Sequence, residues 1–111
     1  MPTFRPGDVV RVPFPYTDRP IRQWRPALVV AAGPLADNHG LLWVNMITSA
    51  ENRPWPDDIV LDFAAAGLPV ASVVRVGKIA TIEVADAGAL GRIQDQELQA
   101  VRVILARMLE F

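Results

Sequence analysis

Nearly all of this chain is written in short apolar runs that alternate with period two, and only its final stretch keeps the period of a helix. The runs are rich in valine and isoleucine and are punctuated by ten prolines and seven glycines, a pattern that favours brief strands over long helices. In the first, Val10, Val12 and Phe14 alternate with Val9, Arg11 and Pro13, and Pro13 and Pro15 then forbid further ladder donation. A second strand is expected from about Pro26 to Ala32. The third, Leu41 to Thr48, is so continuously apolar that burial on both faces is expected. Asp57 to Phe63 reads as a fourth, with Ile59, Leu61 and Phe63 in alternation. Ser72 to Glu83 is too long for one straight strand, so Gly77 is expected to bend it into two in sequence. Then the period changes. Leu98, Val101, Leu105 and Met108, joined by Ile104, predict an amphipathic helix from about Gln94 to Leu109, with Asp95 a better cap than Gln94. Many short strands closed by one C-terminal helix predict a mainly-β fold, a small, strongly bent barrel in one domain spanning residues 1–111.

Composition removes several kinds of chemistry. With no cysteine there is no disulfide, no thiolate nucleophile and no cysteine-based zinc site. His39 is the sole histidine, so no histidine cluster forms on a metal within one chain. It is read as a solvated residue of the turn Ala36 to Gly40, the alternative being proton transfer. No run nears the roughly 18 apolar residues of a membrane span, and the stretch Met1 to Gly7 lacks the apolar segment of a secretory signal, so a cytoplasmic protein is expected.

A net charge of −1 argues against binding nucleic acid through the whole surface. The distribution is more telling. Five arginines (Arg5, Arg11, Arg19, Arg22, Arg25) face only Asp8 and Asp18 in the first 25 positions, a local +3 from five minus two. Lys78 is the sole lysine. An arginine bias suits bidentate recognition of phosphate, and follows equally from a GC-rich genome.

The connection Tyr16 to Gln23 is too long for a tight hairpin and rich in arginine. With Arg25 at the start of the following strand, it outlines a cleft suited to a phosphodiester, because a guanidinium matches two phosphate oxygens at once. Arg19 and Arg22 would steer such a substrate, and Tyr16, Trp24 and Trp55 could stack on unpaired bases. Trp24 serves equally in a core or a dimer interface. Asp57, Asp58 and Asp62 suggest a metal site less than a solvated strand edge, since Asp58 and Asp62 share one face and Asp57 opposes them.

Gly7-Asp8-Val9-Val10-Arg11-Val12-Pro13-Phe14-Pro15, Arg25-Pro26-Ala27-Leu28-Val29-Val30, Thr48 at the end of the third strand, Ser72-Val73-Val74-Arg75-Val76 and Gly91-Arg92-Ile93 opening the final helix together resemble the MazF/PemK toxins, over nearly the whole chain and in the family's order. The resemblance implies an SH3-like barrel, a homodimer, a cognate antitoxin, and metal-independent, sequence-selective cleavage of single-stranded RNA with no cofactor. In that reaction the RNA 2′-hydroxyl attacks its own phosphate and leaves a 2′,3′-cyclic phosphate and a 5′-hydroxyl. The family's functional arginine falls on Arg25 and its threonine on Thr48, with Ser49, Lys78, Arg19, Arg22, Tyr16 and Trp24 as expected RNA contacts. Ala80 stands where relatives often carry another arginine, which puts the strength of phosphate binding in question. Asp18, Glu51 and His39 stay open as the general base. Two alternatives remain: a gyrase-binding module like the CcdB toxins, disfavoured because the chain ends Leu109-Glu110-Phe111 and not Trp-Gly-Ile, and a relative that has lost catalysis.

Overall fold

The structure is a computed structural model that describes residues 3–15 and 22–111. Six strands form one antiparallel sheet in the order β4-β5-β3-β2-β1-β6, from β1 (Asp8–Pro15), β2 (Arg22–Ala31), β3 (Leu41–Ser49), β4 (Ile59–Val60), β5 (Ser72–Glu83) and β6 (Gly88–Arg92). Two α-helices join it, α1 (Gly33–His39) and α2 (Asp95–Met108), with a 3-10 turn at Val84–Asp86. The result is the bent, mainly-β barrel with a C-terminal helix that the alternating pattern predicts. No helix among the described residues is long and apolar enough to cross a membrane.

Alternation sorts the side chains between two apolar clusters. Val10, Val12 and Phe14 of β1 join Ala27, Val29, Leu42, Val44 and Ile82 in one. Val9, Leu28, Ile47, Val74 and Val76 form the other, under Leu98, Val101 and Ile104 of α2. Burying each of those three helix residues is worth about 1.5–3 kcal/mol. The cap is Gln94, not Asp95: the Glu97 carboxylate accepts the Gln94 N–H at 2.8 Å and so satisfies a donor that the helix leaves unpaired.

Several boundaries differ from expectation. The segment around His39 is no simple turn but the end of α1, which has Pro34 in its first turn and closes on Gly40 at φ 67°. Pro there is pre-set for helix, and Gly takes the left-handed cap at little cost. The fourth strand shrinks to Ile59–Val60 because Asp57 sits at φ 65° and the chain turns again after Asp62, whose N–H goes to Glu97 of α2 at 2.7 Å. Asp58 and Asp62 therefore do not share a strand face, and among the described residues no cluster of acidic groups or histidine could hold a metal.

The bend at Gly77 does not divide its run. β5 continues as one strand with a bulge: Asn45 pairs with Ile79 and Met46 with Arg75, so residues 76–78 have no partners in β3. Asn45, fully buried, donates its side-chain amide to the Val76 carbonyl at 2.9 Å and satisfies the backbone that the bulge leaves open. β3 is buried on both faces only in part, since Trp43 stays 45% exposed. Gly91 and Arg92 belong to β6, a strand paired with β1 rather than the start of the helix.

Candidate functional site

The rims of β1, β2 and β3 meet a loop at residues 67–70 and enclose an open cleft of about 320 Å³. Register explains the meeting. Arg11 pairs with Pro26 and Pro13 with Trp24 across β1 and β2, while Ala27 pairs with Met46 and Leu28 with Asn45 across β2 and β3. Continued by two residues, that second register sets Arg25 beside Thr48. Both line the cleft, with Arg11, Trp24, Ser49 and Ser72.

Among the described residues that line the wall, Arg11 and Arg25 are the charged ones. The remaining wall is largely apolar, with Ile47, Leu68, Val70 and Leu90. Two guanidiniums against such a wall make a site for an anion joined to something flat or apolar.

Each polar group has a held geometry. Arg25, half-buried, donates from Nη2 to the Gln23 Oε1 at 2.7 Å. Thr48 is 7% exposed, and its Oγ1 accepts the Asn52 side-chain amide at 2.6 Å. Arg11 lies over the Trp24 indole, guanidinium carbon 4.7 Å from the ring centroid. Trp24 is neither in the core nor covered: it is 55% exposed.

Of the residues singled out in the sequence, the cleft thus gathers Arg25, Thr48, Ser49 and Trp24. Lys78 is exposed beside the β5 bulge and is not part of this wall. Ala80 packs against the cluster of Val10, Val12 and Phe14, also away from the cleft, so its small side chain leaves no gap there. Trp55 stacks on Arg75 outside the cleft, at 4.8 Å. Glu51 and His39 are exposed and do not line it. Tyr16, Arg19 and Asp18 lie outside the described residues, as does the side chain of Arg22.

Arg11 was missed as a site residue, although the sequence carries the signal: with Val10 and Val12 turned inward, Arg11 must face the other way, on the strand next to the one that carries Arg25. Gly67 and Gly91 were missed for a different reason. A Cβ on Gly67 would stand 2.3 Å from the Leu90 carbonyl oxygen, and one on Gly91 2.3 Å from that of Ala66, so both glycines are needed where the loop touches β6. Such backbone contact leaves no pattern in a sequence.

A bent barrel closed by a C-terminal helix is the architecture of a class of small toxins. MazF from Deinococcus radiodurans superposes with a TM-score of 0.80 over 100% of both chains at 24% identity. MazF-mt6, a toxin of Mycobacterium tuberculosis, does so with a TM-score of 0.69 at 22% identity, over 96% of this chain and 98% of that one. An endoribonuclease in complex with its cognate antitoxin from a mycobacterial species gives 0.76 at 18% identity, over 100% and 97%. At these identities the likeness is one of fold. No curated protein sequence matches the chain. The model of the PemK-like, MazF-like toxins of type II toxin-antitoxin systems matches residues 5–109, and the chain belongs to that family.

Proposed function

We propose that this toxin is a metal-independent, sequence-selective endoribonuclease that cleaves single-stranded RNA through the substrate's own 2′-hydroxyl. The observation that carries the reading is the meeting of Arg25 and Thr48 on one open wall that, among the described residues, also holds Arg11.

The 2′-oxygen attacks phosphorus and gives up its proton to a base, the bond from phosphorus to the 5′-oxygen breaks, and that oxygen takes up a proton. The products are a 2′,3′-cyclic phosphate and a 5′-hydroxyl. Negative charge gathers on the non-bridging oxygens as the phosphorane forms, and there Arg25 supplies two donors and a positive charge, while Thr48 supplies a hydroxyl. Arg25 is read here as the charge stabiliser. The apolar wall and the Trp24 ring offer room for a base beside the phosphate. Arg19, Arg22, Tyr16 and Ser49 extend the RNA path in this proposal, and Lys78 would reach only a more distant part of the strand.

The partners follow the same reading. The related MazF of Deinococcus radiodurans is known in a MazE-MazF complex, with a TM-score of 0.76 and 22% identity. An antitoxin segment, disordered alone and folding over the cleft, would exclude RNA. A homodimer working in the cytoplasm completes the proposal.

Incubation with single-stranded RNA in EDTA, followed by analysis of the ends, tests it. Cleavage with 5′-hydroxyl termini is expected. Absence of cleavage across a randomised RNA pool would make the protein an interaction module of the same fold.

A further inference from the structure

Thr48 is held from outside the cleft. Directly after β3 the chain turns: the Asn52 N–H bonds the Ser49 carbonyl at 3.1 Å, the Glu51 N–H bonds Ser49 Oγ at 3.3 Å, and the Ala50 N–H bonds the Ala71 carbonyl at 2.9 Å. That turn folds residue 52 back over residue 48, and the Asn52 amide donates to Thr48 Oγ1 at 2.6 Å. The rest of the same loop is fixed by one buried side chain. Arg75, 8% exposed, donates to the Arg53 carbonyl at 2.5 Å, stands 3.5 Å from the Asp58 carboxylate and lies against the Trp55 ring. Asp58 in turn accepts the Trp55 N–H at 2.9 Å. A charged group is buried at β5, and what it holds is this loop.

A hydroxyl has one hydrogen to give and two lone pairs to receive with. When Asn52 donates to Oγ1, one lone pair is used and the Thr48 hydrogen stays available for an anionic oxygen in the cleft. An accepting group at position 52 would reverse this and draw that hydrogen away. We infer that Asn52 is a positioning residue for the cleavage reaction, directing the Thr48 hydroxyl as a donor toward the scissile phosphate, and that Arg75 maintains this by clamping the loop that carries Asn52. The inference rests on the nuclease reading of the Arg25 and Thr48 wall.

The test is single-turnover cleavage of RNA together with the affinity for the same RNA carrying a 2′-deoxy sugar at the cleavage site. Asn52→Ala should cleave about 10-fold more slowly, the scale of losing one neutral hydrogen bond, with an affinity within about two-fold of the parent. Asn52→Asp, nearly the same shape but only an acceptor, should lose at least as much. On a Thr48→Val background Asn52→Ala should change nothing further, an outcome that a merely structural role would not produce. Full activity in Asn52→Ala or Asn52→Asp, or losses that multiply in the double variant, would overturn the inference and leave the nuclease reading standing. A parent protein that cleaves no RNA at all would remove both. Should Asn52→Ala fail to fold, Asn52→Asp and the affinity measurement still decide.

Discussion

Arg11 and Trp24 form a diagonal pair across β1 and β2: Arg11 is opposite Pro26 and Trp24 opposite Pro13, and the guanidinium carbon rests 4.7 Å from the indole centroid. The pair stands at the cleft, with its cation beside that of Arg25. Two different contributions to RNA binding should follow. Removing the cation in Arg11→Ala should reduce the salt dependence of binding by about one unit of slope, as expected for one lost phosphate contact. Trp24→Ala should weaken binding about 10-fold, within the range for one base-stacking contact, and leave the slope unchanged. Titrating labelled, uncleavable RNA at several salt concentrations separates the two; equal slopes in all three proteins would deny Arg11 a phosphate.

Arg25→Ala should lower the rate of the chemical step by about 10² or more, the usual consequence of removing one preorganised charge stabiliser. Arg25→Lys should recover only part of it, because an ammonium cannot span two oxygens in one plane. Single-turnover rates, with circular dichroism to check the fold, measure this. A variant as fast as the parent would exclude Arg25 from the reaction.

What the sequence reveals and what it hides divide along physical lines. Where two faces differ in polarity, as at Val10, Val12 and Phe14, alternation sets strand, register face and core together. Helix α1 has only seven residues and no buried ones, so it offers no period to read, and Pro34 and Gly40 are its only marks. β6 is Gly-Ala-Leu-Gly-Arg and exists because β1 pairs with it. Arg25 and Thr48 were legible as a pair through family resemblance, while their meeting depends on a register between strands distant in sequence. Arg75 carried no sign of its role. A buried arginine gains its meaning from Asp58, Arg53 and Trp55, and nothing local announces those partners.

Gly67 and Gly40 offer a controlled comparison. Both have positive φ, at 80° and 67°, so alanine at either meets a conformational cost of about 1 kcal/mol, because Cβ crowds the following carbonyl oxygen. An added Cβ at Gly40 meets nothing within 4 Å, whereas at Gly67 it stands 2.3 Å from the Leu90 carbonyl oxygen. Gly40→Ala should therefore lose about 1 kcal/mol in urea unfolding and Gly67→Ala about 2–4 kcal/mol, the excess being backbone strain and displacement. Gly67 and Leu90 both line the cleft, so only Gly67→Ala should also impair RNA binding.

Asp58 and Arg75 form an ion pair with side chains 12% and 10% exposed. Its net value is small, but breaking it is costly, because the survivor keeps a charge in a place poor in water. Asp58→Ala should lower stability by about 3 kcal/mol, read from the urea midpoint. The Asp58 carboxylate also caps the Trp55 N–H, so the same variant should raise the proteolytic sensitivity of residues 50–58 ahead of global unfolding. A loss below about 1 kcal/mol, the range of an exposed pair, would mean the charge is better solvated than its burial implies.

Trp43, Ile79, Met108 and Leu109 are each 45–58% exposed, yet lie together where the end of α2 meets β3 and β5, around a groove of about 260 Å³. Scattered apolar residues on a surface are ordinary, but a contiguous group marks a contact. In the homodimer we propose, this is the surface that a second copy would cover. Ile79→Lys places a charge there while touching no buried packing, so the isolated fold should lose less than about 0.5 kcal/mol, whereas a desolvated charge at an interface costs far more than that. Light scattering should then find twice the chain mass for the parent and the chain mass for Ile79→Lys at the same concentration. A dimer that survives the lysine must use another face, and a monomeric parent would end the dimer proposal, leaving the groove unassigned.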